Sequence, residues 1–144
     1  MSYAVQSDLL LRMSAKELLQ LTDDNSSGTV NVATVQGCLD EATAQIDSYV
    51  RARYQTPLQP SNSAVRLCRD IAVYLLYSRR PQAMKDTVRL GYEDAVGFLK
   101  DIASGKASLD QPAGAVTAQN PTAAATVPAS QNLRFGGCNL DGFV

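Results

Sequence analysis

The sequence predicts an all-α protein: a small bundle of about four to five helices, followed by a long extended C-terminal arm. Apolar residues recur every three or four positions over residues 32–54, 61–79 and 81–104, which is the spacing of one helix face. No segment shows the sustained apolar–polar alternation of a strand. After Leu109 the chain becomes an uncharged stretch rich in Ala, Thr and Pro, which has too few large apolar groups to fold by itself.

The first two predicted helices are short. Ser7 is a candidate N-cap for a helix that reaches about Met13. Ser14 and Glu17 have the spacing of a capping box, in which each side chain accepts a hydrogen bond from the other residue's backbone N–H. This second helix is expected to end near Leu21.

The segment "DDNSSGTVN" that follows raises the question of a calcium site. Asp23, Asn25 and Ser27 occupy positions 1, 3 and 5 of an EF-hand loop, and Gly28 occupies position 6. Position 12 is Thr34, which cannot supply the bidentate carboxylate that closes the coordination shell. The same residue types favour tight turns. The sequence therefore favours a turn, and leaves weak metal binding as the alternative.

Three longer helices are predicted from residue 31 onward. Asn31 is the expected N-cap of the first, which runs to about Tyr54, where the prolines of "TPLQP" stop it. Ser61 or Ser63 begins the next helix. Pro81 suits the first turn of the last helix.

The last helix is expected to end at Gly105. Within it, Gly91 and Gly97 each cost about 1 kcal/mol relative to alanine, which a closely packed neighbour or a bend would offset. The predicted core residues are apolar and share the inner faces of the three long helices: Val35, Leu39, Ala42, Ile46, Tyr49, Val50, Val65, Cys68, Ile71, Ala72, Leu75, Leu76, Met84, Val88, Tyr92, Ala95, Leu99 and Ile102.

The composition excludes several classes of function. A chain of 144 residues suffices for one domain with a modest core. It contains no histidine, which removes Ser–His and Cys–His nucleophile systems. The three cysteines have no CxxC spacing, which argues against a structural zinc site, and Cys38 and Cys68 are expected in the core. We therefore expect no enzymatic activity, no metal and no cofactor.

Neither a membrane span nor an export signal is expected. No apolar run reaches the roughly 18 residues that a span needs. The segment "MSYAVQSDLL" lacks the basic and apolar regions of a signal peptide. Synthesis in the host cytoplasm is therefore expected.

The net charge is only -1, but the charges are distributed unevenly. Residues 1–49 are mostly acidic, and residues 50–90 are mostly basic with interleaved tyrosines. This pattern fits a nucleic-acid-binding helical module that uses the basic middle segment. It equally fits an acidic face that meets a basic face on an identical copy. The candidate residues for such a ring interface are charged: Asp40, Glu41, Asp47, Arg66, Arg69, Arg79 and Arg80.

The C-terminal segment "NLRFGGCNLDGFV" returns to large apolar side chains. We predict a helical connector domain over 1–110, a flexible linker over 111–131 and an anchoring segment over 132–144. An apolar tip on a flexible linker can grip a partner, because the linker raises the effective concentration; the alternative is a terminus without a partner. The candidate anchoring residues at a portal or subunit interface are Leu133, Arg134, Phe135, Leu140 and Phe143.

Several segments in order carry a resemblance to a known family. These are "YAVQSDLLLRMSAKELLQLTDD", "ATAQIDSYVRARYQTPL", "VRLCRDIAVYLLY" and "YEDAVGFLKDIASGKASL", with "LRFGGCNLDGF" at the end. Together they resemble the phage head–tail connector, or adaptor, proteins of the Mu-like prophage type, over residues 3–110 and the closing segment. The turn after "LTD" is often richer in Asp in that family, which further weakens a metal site here.

The resemblance implies a structural virion protein at the neck of the particle. It implies a ring of about twelve copies under the portal that extends the DNA channel and offers a docking surface for the tail. The implied partners are copies of the chain itself, the portal protein, and a tail-side stopper or tail terminator protein. Genomic DNA would pass through the lumen without sequence-specific binding. The C-terminal arm is the segment expected to reach the portal or an adjacent subunit.

Overall fold

A computed structural model describes residues 1–110, and every regular element within that range is helical. The elements are α1 (Gln6–Leu9), α2 (Ala15–Thr22), α3 (Val32–Val50), α4 (Asn62–Ser78), a 3-10 turn (Pro81–Ala83) and α5 (Asp86–Ser104). The predicted all-α bundle of four to five helices is confirmed. The predicted arm and its subdivision lie outside the described residues. No helix in the described part is long and apolar enough to cross a membrane.

Helix α4 lies at the centre of the bundle. Helices α3 and α5 pack against it and against each other, while α1 and α2 contact its remaining side. Ile46 of α3, Ile71 and Leu76 of α4, and Leu99 and Ile102 of α5 are completely buried. Burying one such side chain contributes about 1.5–3 kcal/mol, so the contact between the three long helices is the main source of stability.

The central position of α4 explains where the predicted core is incomplete. Leu67, Val73 and Tyr77 are buried although they lie off the predicted stripe, while Val65 and Leu75 on the stripe are only half-buried. A single apolar stripe is the pattern of a helix with one covered face. Helix α4 is covered by neighbours on several sides, so its buried residues extend around most of its circumference.

Three of the predicted N-caps are confirmed by hydrogen bonds. Ser14 Oγ accepts from the backbone N–H of Glu17 at 3.2 Å, and a Glu17 carboxylate oxygen accepts from the Ser14 N–H at 2.9 Å. Asn31 Oδ1 and Ser61 Oγ each accept from the backbone N–H three residues later, both at 3.2 Å. Of the two serines proposed for α4, Ser61 is therefore the cap and Ser63 lies inside the helix.

The predicted start and end of α1 are wrong. The N-cap is Val5, and Ser7 lies inside the helix, which ends at Leu9 rather than near Met13. The Asp8 carboxylate accepts from the Val5 N–H at 2.9 Å. An acidic side chain in the first turn thus satisfies the backbone N–H of the N-cap residue, while the N-cap itself has no side-chain acceptor.

Two further helix boundaries differ from the prediction. Helix α3 ends at Val50, and turns replace its expected last residues because Tyr54 folds into the core with 7% exposure. Pro81 begins a separate 3-10 turn instead of α5, because Met84 has an extended backbone conformation (φ -62°, ψ 125°) that interrupts the helix. Helix α5 therefore begins at Asp86.

The end of α5 returns the chain to the end of α3. Gly105 has a left-handed conformation (φ 85°), as predicted for a C-cap. The Leu109 N–H then donates to the Tyr54 hydroxyl at 2.9 Å, and the Leu109 side chain is 6% exposed. The last described residues are thus held against the body beside the C-terminal end of α3.

Candidate interaction surfaces

A basic cluster surrounds the carboxylate of Asp70 on α4. Arg12, Arg66 and Arg69 lie 3.1, 4.0 and 3.5 Å from it, measured between the nearest side-chain nitrogen and oxygen. The Asp70 side chain is 10% exposed, whereas those of Arg12 and Arg66 are 53% and 66% exposed. One carboxylate cannot neutralise three guanidinium groups, so this surface retains an excess of positive charge. Arg12 was not among the candidates from the sequence, because it is far from the others along the chain.

A second pair of arginines is held by the loop after α2. Arg79 and Arg80 both form ion pairs with Asp24. Arg79 also donates to the Leu21 carbonyl at 2.9 Å, and Arg80 donates to the Asp23 carbonyl at 3.1 Å. The hydrogen bonds from Arg79 and then Arg80 lower the pKa of the Asp24 carboxyl. These two arginines therefore connect the end of α4 to the loop.

Asp23 organises that same loop through its side chain. Its two carboxylate oxygens accept from the backbone N–H groups of Ser27 and Gly28, each at 2.8 Å. The hydrogen bonds from Ser27 and then Gly28 lower the pKa of the Asp23 carboxyl. Gly28 adopts a left-handed conformation (φ 72°). The segment that resembles an EF-hand loop is thus an Asp-centred turn, and residues 1–110 contain no cluster of three potential metal-binding side chains.

The three acidic interface candidates have different surroundings. Asp47 accepts a hydrogen bond from the Tyr3 hydroxyl, which in turn accepts from the Leu58 N–H at 2.8 Å. Burial, followed by the hydrogen bond to Asp47, raises the pKa of Tyr3 to about 12. Asp40 accepts from the Gln36 side chain at 2.9 Å. Glu41 is exposed and has no ion pair with any residue of the 1–110 range.

Comparison with known proteins places the chain in a phage family. Residues 3–127 match the protein family described as "Bacteriophage Mu, Gp36". The chain belongs to this family. It is 36% identical to "Mu-like prophage FluMu protein gp36" of Haemophilus influenzae (strain Rd) and 31% identical to "Gene product J" of Escherichia phage Mu. Each alignment covers 108 residues, which is 74% of both chains.

Membership of the Gp36 family confirms the predicted relationship to Mu-like prophage proteins. It supports a phage structural protein more than an enzyme. The names of these relatives do not state a connector role.

The tyrosines of this Gp36-family chain are packed within the body. Tyr54 and Tyr77 are buried, and Tyr49 is half-buried. The rings of Tyr74 and Tyr92 are stacked on each other with centroids 4.0 Å apart. Nucleic-acid bases stack on exposed aromatic rings. The arrangement therefore favours a structural role for the tyrosines over the nucleic-acid-binding alternative.

One groove of the described body is lined by charged and aromatic side chains. It has a volume of about 410 Å³ and lies between α2 and the segment that joins α4 to α5, with Leu21 and Tyr77 in its wall. Glu17 and Lys85 form an ion pair across it. The hydrogen bond from Lys85, followed by those from Ser14, lowers the pKa of Glu17 to about 2. Ligand sites for small molecules are mostly apolar and enclosed, so this open, charged groove is more typical of a macromolecular contact surface.

Five candidate residues lie outside the described part of the chain: Leu133, Arg134, Phe135, Leu140 and Phe143. Their assignment to a portal or subunit interface stays a prediction.

Proposed function

We propose that this Gp36-family chain is a structural virion protein that connects the phage head to the tail. About twelve copies would form a ring under the portal, at the neck of the particle. The ring would extend the DNA channel and provide the surface on which a tail-side stopper or tail terminator protein docks. Membership of a Mu-type phage family and an all-helical body support this role.

The observation that carries the proposal is membership of a Mu-type phage family, matched over residues 3–127. Within residues 1–110 the buried apolar residues form one cluster, and the Leu109 N–H donates to the Tyr54 hydroxyl at its end. Another 34 residues, 111–144, follow this point, and Phe135 and Phe143 are among the last of them. Large aromatic side chains are typical interface anchors, so the proposed role of these two is to hold the chain on the portal or on an adjacent copy.

The charges of the body fit a channel protein better than a sequence-specific DNA reader. Arg79 and Arg80 are paired with Asp24, and Arg69 is largely covered. Base-specific readout needs arginines that can reach into a groove. Because these arginines are paired within the chain, they are not free to read base edges. DNA can therefore pass along the surface without being held at a particular sequence.

Purification of particles that contain a tagged copy of the chain tests the connector role. We expect the chain to co-purify with the portal in ring-sized complexes and to be located at the neck by electron microscopy. Absence of the chain from mature particles would overturn the proposal.

The role of the C-terminal segment is tested with a matched pair of variants. Phe143→Ala is expected to weaken retention on the portal, because it removes a large apolar anchor. Val116→Ala, in the low-complexity stretch, is the control and should be retained normally. Full portal-bound rings after deletion of residues 111–144 would rule out an anchoring role for this segment.

A further inference from the structure

We infer that adjacent copies of this chain contact each other head to tail, with Glu41 on α3 of one copy against Arg12 and Arg66 of the next. This inference rests on the proposed ring and names the contact that would build it. It selects three residues from a larger set of charged side chains, on the basis of where the fold directs them.

The side chains of Glu41 and Arg66 extend from opposite sides of the α3–α4 pair. The Cys68 sulfur lies 3.6 Å from the Thr43 hydroxyl and 3.8 Å from the Leu39 carbonyl oxygen, which marks the line of contact between α3 and α4. Two residues along an α-helix correspond to a rotation of about 200°. Arg66 precedes Cys68 by two residues, and Glu41 precedes Thr43 by two, so each side chain points away from the α3–α4 contact.

In a closed ring of about twelve identical subunits, each subunit contacts its two neighbours through nearly opposite sides. The placement of Glu41 and Arg66 on opposite sides fits this geometry. A ring is built from a heterologous interface, in which two different patches of the same subunit meet. If Glu41 and Arg66 shared one side of the body, two copies could instead form a closed two-fold dimer. The observed placement favours the head-to-tail arrangement.

The basic cluster around Asp70 has an excess of positive charge and is bordered by apolar side chains. Asp70 is shared by three arginines, and the two most exposed of these are Arg12 and Arg66. Leu10 and Leu11, next to Arg12, are 45% and 73% exposed. Exposed leucines beside guanidinium groups are typical of a protein contact, since a nucleic-acid phosphate gains nothing from them.

Glu41 lies on a face of α3 that the described body leaves uncovered. Along this face of α3, Ala33, Gly37, Ala44 and Ser48 are exposed around Glu41. A Cβ atom added at Gly37 would meet nothing within 4 Å. Small side chains let a neighbouring subunit approach closely, so that Glu41 can reach its guanidinium partners.

The other predicted interface charges are already engaged within the chain. Asp47 accepts from Tyr3, and Arg79 and Arg80 pair with Asp24. Recruiting them to a partner would break these contacts. Glu41 can pair with the arginines of the next copy without such a loss, since Arg69 still accompanies Asp70.

Charge reversal and its rescue test the contact in the full-length protein. Arg66→Glu and Glu41→Arg should each weaken self-association, measured by sedimentation equilibrium, by about tenfold or more, because each places like charges together. The double variant Arg66→Glu/Glu41→Arg exchanges the two partners and should recover most of that loss. Lys100→Glu, an exposed site on α5, is the control with the same change of charge and should associate normally.

Each outcome decides the question. Failure of the double variant to recover association, or equal weakening by Lys100→Glu, overturns the pairing, as does a wild-type protein that stays monomeric at every concentration. Thermal unfolding followed by circular dichroism must show that all variants remain folded, and a milder Arg66→Ala variant replaces Arg66→Glu if that one unfolds. If both single variants still form normal rings on the portal, this inference fails while the proposed function stands. Absence of the wild-type chain from particles is the separate outcome that contradicts the function.

Discussion

Single charged residues of the body serve mainly to hold its own loops and helix ends. Asp23 accepts two backbone N–H groups of the loop after α2, and Asp24 holds the arginines at the end of α4. Glu17 closes the capping box of α2 and pairs with Lys85. These carboxylates are stabilised in their charged form, so the free energy of unfolding of the body should decrease at low pH.

Glu17 gives the clearest pH prediction. Its pKa is lowered from 4.5 to about 2 in the folded chain, so its contribution to stability is complete above pH 4.5 and is lost as the pH falls toward 2. Glu17→Gln keeps the capping box but removes the charge. We expect this variant to be less stable than wild type at pH 7, with a difference that shrinks as the pH approaches 2.

Urea unfolding at a series of pH values between 2 and 7 measures this difference. Lys85→Met, which removes the partner of Glu17 and leaves the capping box, should change the pH dependence in the same direction. Parallel stability curves for wild type and Glu17→Gln would contradict the assignment.

Replacing Gly105, the C-cap of α5, and Gly97, inside α5, by alanine should change stability in opposite directions. Gly105 has a φ of 85°, and an added Cβ would clash with the guanidinium group of Arg53. Gly105→Ala should therefore destabilise the protein by about 1 kcal/mol or more. Gly97 lies inside α5 with nothing within 4 Å of an added Cβ, so Gly97→Ala should stabilise by about 1 kcal/mol. Denaturant midpoints distinguish the two, and shifts of equal sign would be inconsistent with this geometry.

At the scale of elements, side-chain hydroxyls and guanidinium groups connect segments that do not share a helix. The Tyr3 hydroxyl joins the N-terminal segment to Asp47 on α3 and to the backbone of Leu58. Arg79 joins the end of α4 to the Leu21 carbonyl at the end of α2. The Tyr54 hydroxyl accepts from Leu109. Such contacts fix short connections that have little core of their own.

The Tyr54–Leu109 contact can be tested without disturbing the core. Tyr54→Phe removes only the hydroxyl, so the buried Leu109 N–H loses its acceptor, at a cost of about 1–3 kcal/mol. We expect faster hydrogen exchange at the Leu109 amide. Tyr49→Phe, which removes a half-buried hydroxyl from α3, is the control. Unchanged exchange in the Tyr54→Phe variant would show that this contact does not hold the end of the body.

At the scale of the whole molecule, the buried apolar residues of the 1–110 range form one cluster, from Ala4 to Leu109. A continuous core of this kind is expected to unfold as one cooperative unit. The family match extends further, to residue 127. The separation of the chain into a folded body and an anchoring C-terminal segment stays a prediction.

Truncation tests this division. A variant ending at residue 110 should keep its helical circular dichroism and unfold cooperatively, because it retains every buried residue of the described cluster. It should also lose attachment to the portal. A truncated chain that fails to fold would show that the C-terminal segment contributes to the core, whereas a variant ending at residue 105 is expected to be less stable because it lacks Leu109.

The helical class, the long helices and most caps follow from the sequence because they depend on local spacing. The apolar residues of α3 and α5 recur at helical intervals, and Ser14, Asn31 and Ser61 are capping residues whose partners lie three positions away. The similarity to Mu-like prophage proteins also follows from the sequence, because several short segments occur in the same order along the chain. These features need no knowledge of which helices meet.

Only the tertiary structure decides which charges remain available to a partner. Seven charged residues were equal candidates in the sequence, yet the fold pairs Arg79 and Arg80 with Asp24, engages Asp47 with Tyr3, and brings Arg12 to Asp70 across 58 positions of the chain. The same long-range packing buries α4 on several sides and folds Tyr54 inward, which shortens α3. Local periodicity specifies helices, but contacts between residues distant in sequence are set by how those helices pack.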